Sequence, residues 1–349
     1  MDGMDGGSAA DLFSVKSGAI SGCGQGPLQE ESMSRHNRFL SVLLLSMATA
    51  LWAGIARGAE PGQSPFRFEE SEGKFLKLFD GDRPVLVYNF GMMLKEGAPE
   101  KFRRSSYVHP IYGLDGEMVT DDFPKDHYHH RGLFWAWVRV VVDGKAYDPW
   151  AVSGMLTKFE KWLGRETGAD FAAFGVENGW YVGERKVVDE KVRLRVGRAD
   201  GIGRAIDVEL VPDAVGKPVP VGGTLDQSKG YGGFGLRFAP RQKPVVMTMT
   251  DGTQPGDVIR KISPWADYSA QFEGAKAVSG AAIFVDKGNP GFPNGWLLRE
   301  YGYIGLTWPG LETYVLEPGK PLTLRYRVWV HRGDVKAGRV AEAYEAFAK

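Results

Sequence analysis

The sequence predicts an all-β fold: a large antiparallel β-sandwich of many strands with one C-terminal helix. Three observations carry this. Short runs alternate apolar and polar residues with period two, Asp-Gly and Asn-Gly pairs fall between runs, and no interval shows the strand–helix alternation of a parallel sheet. Gly at 47 and Pro at 20 in 349 residues favour turns over long helices.

The first sixty residues predict processing signals, not fold. Residues 1–32 are Gly/Ser-rich without apolar periodicity and read as an N-terminal extension. At 33–59, Arg35 and Arg38 precede an apolar run from Phe39 to Ile55, followed by small residues, the layout of a cleaved secretory signal. Cleavage there leaves 60–349 as a single β-sandwich domain. The expected location is secreted or periplasmic, with no stable membrane span after cleavage. Cys23, the single cysteine, is lost with the leader, which excludes thiol chemistry and disulfides from the remainder.

The elements then follow in order. Lys74–Phe79 meets Pro84–Tyr88 across Asp80-Gly81-Asp82, a hairpin signature. Asp115-Gly116, Asp143-Gly144 and Asn178-Gly179 predict further turns, because these pairs supply positive φ. Val192–Val196, Ile206–Leu210 and Leu322–His331 alternate and read as half-buried strands. The Gly/Pro-rich stretch 212–224 reads as a boundary or as a long connection within a sandwich. Asp334 is the expected cap of the final helix, with Val340, Ala341, Tyr344, Phe347 and Ala348 on one side.

Charge bounds the function. With 43 basic and 43 acidic groups the chain lacks the excess positive charge of a general nucleic-acid binder. Of the five histidines beyond residue 60, four fall within 22 positions: His109, His127, His129 and His130. Imidazole serves as acid, base or metal ligand near neutrality. Asp126 and Arg131 flank the cluster and add a carboxylate and an anion clamp. If 127–131 is extended, His127, His129 and Arg131 share a face and His130 points away. The alternatives are acid–base catalysis, a divalent metal held by His109, His127 and His129, and a hydrogen-bonded network that orders a loop. No cofactor is expected, since the spacing matches no standard metal signature. His331 reads as structural.

Aromatic and polar residues elsewhere suit sugar rings, which offer apolar faces and hydroxyl edges. Lys229, Tyr231, Asp267, Asn289, Arg299 and Tyr301 are the substrate-binding candidates, together with Asp126. His109, His127, His129, His130 and Arg131 are the catalytic candidates.

The stretch Asp126-His127-Tyr128-His129-His130-Arg131-Gly132-Leu133, with His109-Pro110, Lys229–Gly233, Asn289-Pro290, Trp296–Gly302 and Glu317-Pro318-Gly319, resembles a bacterial family of uncharacterised secreted proteins labelled methane oxygenase PmoA. The usual pattern there is Asp-His-Pro-His-His-Arg-Gly, and Tyr128 replaces the proline. The resemblance spans most of 65–333. It implies a galactose-mutarotase-like supersandwich and a place in sugar breakdown. The expected function is therefore an exported carbohydrate-active protein binding a sugar or oligosaccharide, with epimerisation, elimination or hydrolysis as its acid–base chemistry. The alternatives are a metal-dependent oxidoreductase, as the label suggests, and a non-catalytic carbohydrate-binding module.

Overall fold

A computed structural model describes residues 65–349. The expected extension, leader and Cys23 lie outside these residues. Twenty-two strands, numbered in chain order, form three antiparallel sheets. The first sheet runs, edge to edge, β1 (Phe66–Ser71), β2 (Phe75–Asp80), β3 (Arg83–Asn89), β4 (Tyr107–Ile111), β5 (Leu133–Ala136), β13 (Gly233–Arg237), β20 (Tyr303–Thr307), β19 (Gly295–Arg299) and β16 (Val258–Ile262). The second runs β15 (Gly252–Thr253), β14 (Val246–Met249), β17 (Trp265–Ala270), β18 (Ser279–Val285), β22 (Leu324–Arg332), β11 (Gly203–Ala214), β10 (Arg185–Gly197), β9 (Phe171–Val182) and β8 (Leu156–Thr167). The third is small: β21 (Thr313–Leu316), β12 (Val219–Gly222), β6 (Arg139–Val142) and β7 (Lys145–Tyr147).

The period-two pattern decides which faces meet. Leu76, Leu78, Leu86, Trp135, Phe234 and Leu236 on the first sheet join Phe174, Val192, Leu194, Ile206, Val208 and Val328 on the second in one buried core. Stacked pairs bridge the sheets: Phe234 on Tyr326 and Phe238 on Tyr268, each 4.3 Å between centroids. Such a pair adds roughly 0.5–1.5 kcal/mol beyond burial, and Phe234→Ala should cost roughly 3–5 kcal/mol.

The hairpin at Asp80-Gly81 and the turn at Asp143-Gly144 form as the sequence predicts. Asn178-Gly179 does not turn the chain. It lies inside β9, and Asn178 is buried with its side chain engaged. Its amide donates to Glu190 at 3.0 Å and accepts from Ser106 at 3.0 Å. Trp135 and Trp180 also donate to Glu190, at 3.0 and 3.2 Å. A buried network therefore overrides the local turn preference, and the reversal falls at Gly183 instead. The stretch 212–224 is a connection that contributes β12. The helix α1 (Val340–Phe347) packs Val340, Ala343, Tyr344 and Phe347 against Trp265 and Phe284. Ala341 is exposed, and Asp334 caps the preceding turn at Lys336 and Ala337 rather than the helix.

Among the described residues, no helix is long and apolar enough to cross a membrane.

Candidate functional site

The first sheet is apolar on both faces. Away from the core, Tyr107, Phe134, Ala136, Trp150, Leu297 and Tyr303 form a second buried cluster. Ladder register builds its floor. Phe134, Gly235, Gly305 and Leu297 stand side by side on β5, β13, β20 and β19. In the next row, Arg237, Tyr303 and Arg299 are neighbours on β13, β20 and β19. The glycines matter here. A Cβ at Gly235 or Gly305 would collide with the Tyr303 phenol, which lies flat over both.

Two loops wall this floor. In the first, Ala151 N donates to Asp148 Oδ1 at 2.9 Å, a local turn that places Trp150 over Phe134 at 4.9 Å. Tyr231 packs on the other side of Trp150, 5.2 Å between centroids. The second is the histidine loop. It is not extended: His127 N donates to Pro124 O at 3.0 Å and His130 N to His127 O at 2.8 Å. Consecutive turns therefore replace the expected strand. The three imidazoles gather on one side and Arg131 points away.

Arg131 explains why the loop folds so. Its guanidinium is fully buried and donates to the carbonyls of Tyr128 and His130 at 2.7 Å each, and of Phe102 at 2.5 Å. It lies 3.4 Å from the Phe123 ring centroid and 3.5 Å from Asp122. This placement leaves Arg131 as an organiser of the loop, not an open anion clamp. Burial pushes Asp122 up to about 6, against the charge of Arg131 and the Tyr107 hydroxyl, which donates at 2.9 Å.

His127 stacks near-parallel with both His130 and Tyr301, at 4.7 and 4.9 Å with 16° between planes in both cases, and those two rings lie 6.4 Å from each other. Its Nδ1 lies 2.9 Å from Asp126 Oδ2. Arg237 Nη2 donates to both oxygens of Asp126 at 2.9 Å, and its guanidinium sits 4.8 Å from the Tyr301 centroid. Partial burial pushes Asp126 up, but hydrogen bonds from His127 and Arg237 bring it below the usual carboxylate range. His129 meets both neighbours edge-on. Burial holds it down to about 4, and holds His130 well below the ordinary imidazole value. Both are therefore neutral near pH 7.

Several buried groups in this region have no partner: His130 Nδ1, Trp150 Nε1, the Tyr303 hydroxyl, and Nε and Nη1 of Arg237. The rings concerned touch one another, His130 to Tyr303 at 5.0 Å and Trp150 to Tyr303 at 5.8 Å. A buried polar group left unpaired costs roughly 1–3 kcal/mol, so such a concentration marks a place built to meet something polar.

The sequence candidates divide accordingly. Asp126, His127, His129, His130, Tyr231, Arg299 and Tyr301 surround the site. Arg299 also pairs with Asp257 at 3.0 Å. Lys229 lies on the loop that carries Tyr231 and pairs with Asp226 at 3.4 Å. His109 stands apart from the ring stack. Its Nδ1 faces Thr120 Oγ1 at 3.1 Å, and burial holds it down to about 3. Among the described residues, His109, His127 and His129 do not bring three ring nitrogens within 4.8 Å of one another. Two candidates lie elsewhere for clear reasons. Asp267 is buried in the second sheet, bonded to His331 at 2.8 Å and Ser269 at 2.7 Å. Asn289 staples its loop to β22 through both the N–H and the carbonyl of Arg325, at 2.8 Å each. Sequence reasoning missed Trp150, Arg237, Tyr303 and Arg104, whose buried guanidinium lies 5.1 Å from the Phe134 centroid. The available signal was Arg237, a charge inside an otherwise apolar strand.

Comparison with known proteins follows from this geometry. Residues 76–345 match the family described as "Family of unknown function (DUF6807)". No curated protein matches the chain. Among solved structures it is similar to a provisionally assigned aldose 1-epimerase from Klebsiella pneumoniae subsp. pneumoniae. Identity is 10%, covering 84% of this chain and 86% of that one, with a TM-score of 0.39. It is similar to the GalM/aldose epimerase homologue from C. elegans at 8% identity, covering 78% and 100%, with a TM-score of 0.32. It is also similar to heparinase III, the BT4657 gene product, at 11% identity, covering 84% and 41%, with a TM-score of 0.34. At these scores no residue, substrate or reaction passes from those proteins to this chain.

Proposed function

The chain belongs to DUF6807, a family of unknown function, and we propose that it is an exported carbohydrate-active protein whose site is the outer face of the first sheet. The observation that carries this reading is the set of unpartnered buried groups at His130, Trp150, Tyr303 and Arg237, set among stacked rings. A sugar ring offers what they lack. Its hydroxyls accept from Trp150 Nε1 and Arg237 and pair with Tyr303, while its C–H face lies on Tyr301 or Trp150.

The chemistry is proton transfer. Asp126 faces Nδ1 of His127 and so fixes the ring with Nε2 turned toward the ligand. His127 is the acid–base group, Asp126 its positioning residue, and Arg237 holds Asp126 in place. His129 and His130, neutral by burial, orient the ring and hydrogen-bond the ligand. Arg299 offers its remaining N–H groups to a carboxylate or carbonyl oxygen of a modified sugar. Export rests on the expected leader at 33–59.

The test is solvent deuterium exchange into a panel of hexoses, hexuronates and keto-hexoses, followed by NMR. Exchange or product that disappears in His127→Ala supports the reading. Binding without exchange or product reduces it to a carbohydrate-binding module. Neither binding nor turnover across the panel overturns it.

A further inference from the structure

A second, separate cavity lies where three reversals meet: the β2–β3 hairpin, the turn at 113–117 and the β10–β11 hairpin, closed by the end of β22. It measures about 350 Å³. It opens at the Arg83 end of β3, whereas the opposite end of that strand, at Asn89, carries the backbone of His109 through a 2.7 Å hydrogen bond. At ~3.3 Å per residue, the length of β3 separates the two by about 20 Å.

Its lining is cationic. Four arginines face it: Arg83, Arg198, Arg204 and Arg332. Two carboxylates answer them. Asp80 accepts from Arg204 Nη2 at 2.5 Å, and Asp115 accepts from Arg332 Nη2 at 2.7 Å and Nε at 2.9 Å. Arg83 reaches only the Leu114 carbonyl, at 3.5 Å, and Arg198 has no side-chain partner among the described residues. Arg204 is a built feature rather than a surface chance. Its side chain is 9% exposed, and its Nε is buried without a partner. Even with Asp80, Asp115 and Glu117, whose charge also reaches Arg332, the four guanidinium groups outnumber the carboxylates, and an anion between them relieves their mutual repulsion.

We propose that this cavity is a binding site for a small ligand bearing carboxylate or sulfate-type oxyanions, separate from the histidine site. The planar N–H forks of Arg83 and Arg198 hold the oxyanion at the mouth, and Arg204 Nε donates from the wall. The volume accommodates a ligand about the size of a monosaccharide acid.

The test titrates the full chain with inorganic sulfate, citrate and a sulfated disaccharide by calorimetry. Arg83→Ala and Arg198→Glu alter exposed side chains, and His127→Ala serves as the separating control. Saturable binding of one equivalent is expected, weakened about tenfold or more in each arginine variant and unchanged in His127→Ala. Tighter binding of the disaccharide than of free sulfate identifies a saccharide as the source of the anion. Equal binding identifies the free ion. Absence of saturable binding, or binding indifferent to both arginine variants, overturns the proposal. Loss on His127→Ala alone would move the bound anion to the histidine site and overturn it equally.

Discussion

The phenol of Tyr301 stacks on the imidazole of His127, 4.9 Å between centroids and 16° between planes. Two distant parts of the chain, the histidine loop and the turn between β19 and β20, thus share one surface. The stack sets the plane of His127, and the Asp126 carboxylate lies 2.9 Å from its Nδ1. If His127 moves protons, Asp126→Asn should keep the fold and the ligand affinity within about tenfold while lowering turnover by about 10²-fold or more. Rates and affinities measured separately on this variant check the division. Equal losses in both would assign Asp126 to binding.

Tyr303 presents the opposite case, a polar atom that stability does not need. Its hydroxyl is buried over Gly235 and Gly305 and has no partner. Burial also pushes the phenol well above its ordinary pKa, so it stays protonated. Tyr303→Phe should therefore leave unfolding free energy unchanged or raise it by about 1 kcal/mol. Chemical denaturation measures this directly. A loss of more than about 1 kcal/mol would mean the hydroxyl is already satisfied in the folded chain.

Arg131 is buried, and its guanidinium fans out to three backbone carbonyls. Replacing it with Lys keeps the charge but loses the planar fork. Arg131→Lys should cost roughly 3–5 kcal/mol and loosen the loop that carries His127, His129 and His130. Hydrogen exchange at residues 124–131 is the check, and protection equal to the parent's would contradict the organising role.

Some of this was legible in the sequence and some was not. Alternation and Asp-Gly pairs mark most strands because a half-buried ladder and a tight hairpin each impose a local pattern. Asn178-Gly179 misleads because a carboxylate directly opposite on β10, Glu190, claims the Asn178 amide. The clustering of histidines was visible, but their common side was not. Period-two reasoning assumes an extended chain, whereas Arg131 bonds hold this segment in turns. Asp267 looked like a site residue beside Trp265 and Tyr268. Only the pairing of β17 with β18, and of β18 with β22, shows that it faces His331 inside the second sheet.

That pair gives a pH prediction. His331 faces acceptors from both ring nitrogens, Asp267 at 2.8 Å and the Arg332 carbonyl at 3.2 Å, which suits the charged form. Burial pushes its pKa down, but the charge and hydrogen bond of Asp267 outweigh this, and the net direction is up. A raised folded-state value means the stabilisation is complete below the unfolded value, about 6.5. It is lost as pH rises through the folded value. Stability of the parent minus that of His331→Gln should therefore shrink from about pH 6 upward. A difference that stays flat or grows would show that His331 is neutral in the folded chain.

The central claim is that the unpartnered groups around Tyr303 and Trp150 meet a sugar. Equilibrium binding of the hexose, hexuronate and keto-hexose panel to the parent chain and to Tyr303→Phe tests it most directly. The account predicts that at least one member binds the parent saturably and binds Tyr303→Phe about fivefold or more weakly, in line with one lost hydrogen bond. Equal affinity in the two proteins, or no binding to either, would contradict it.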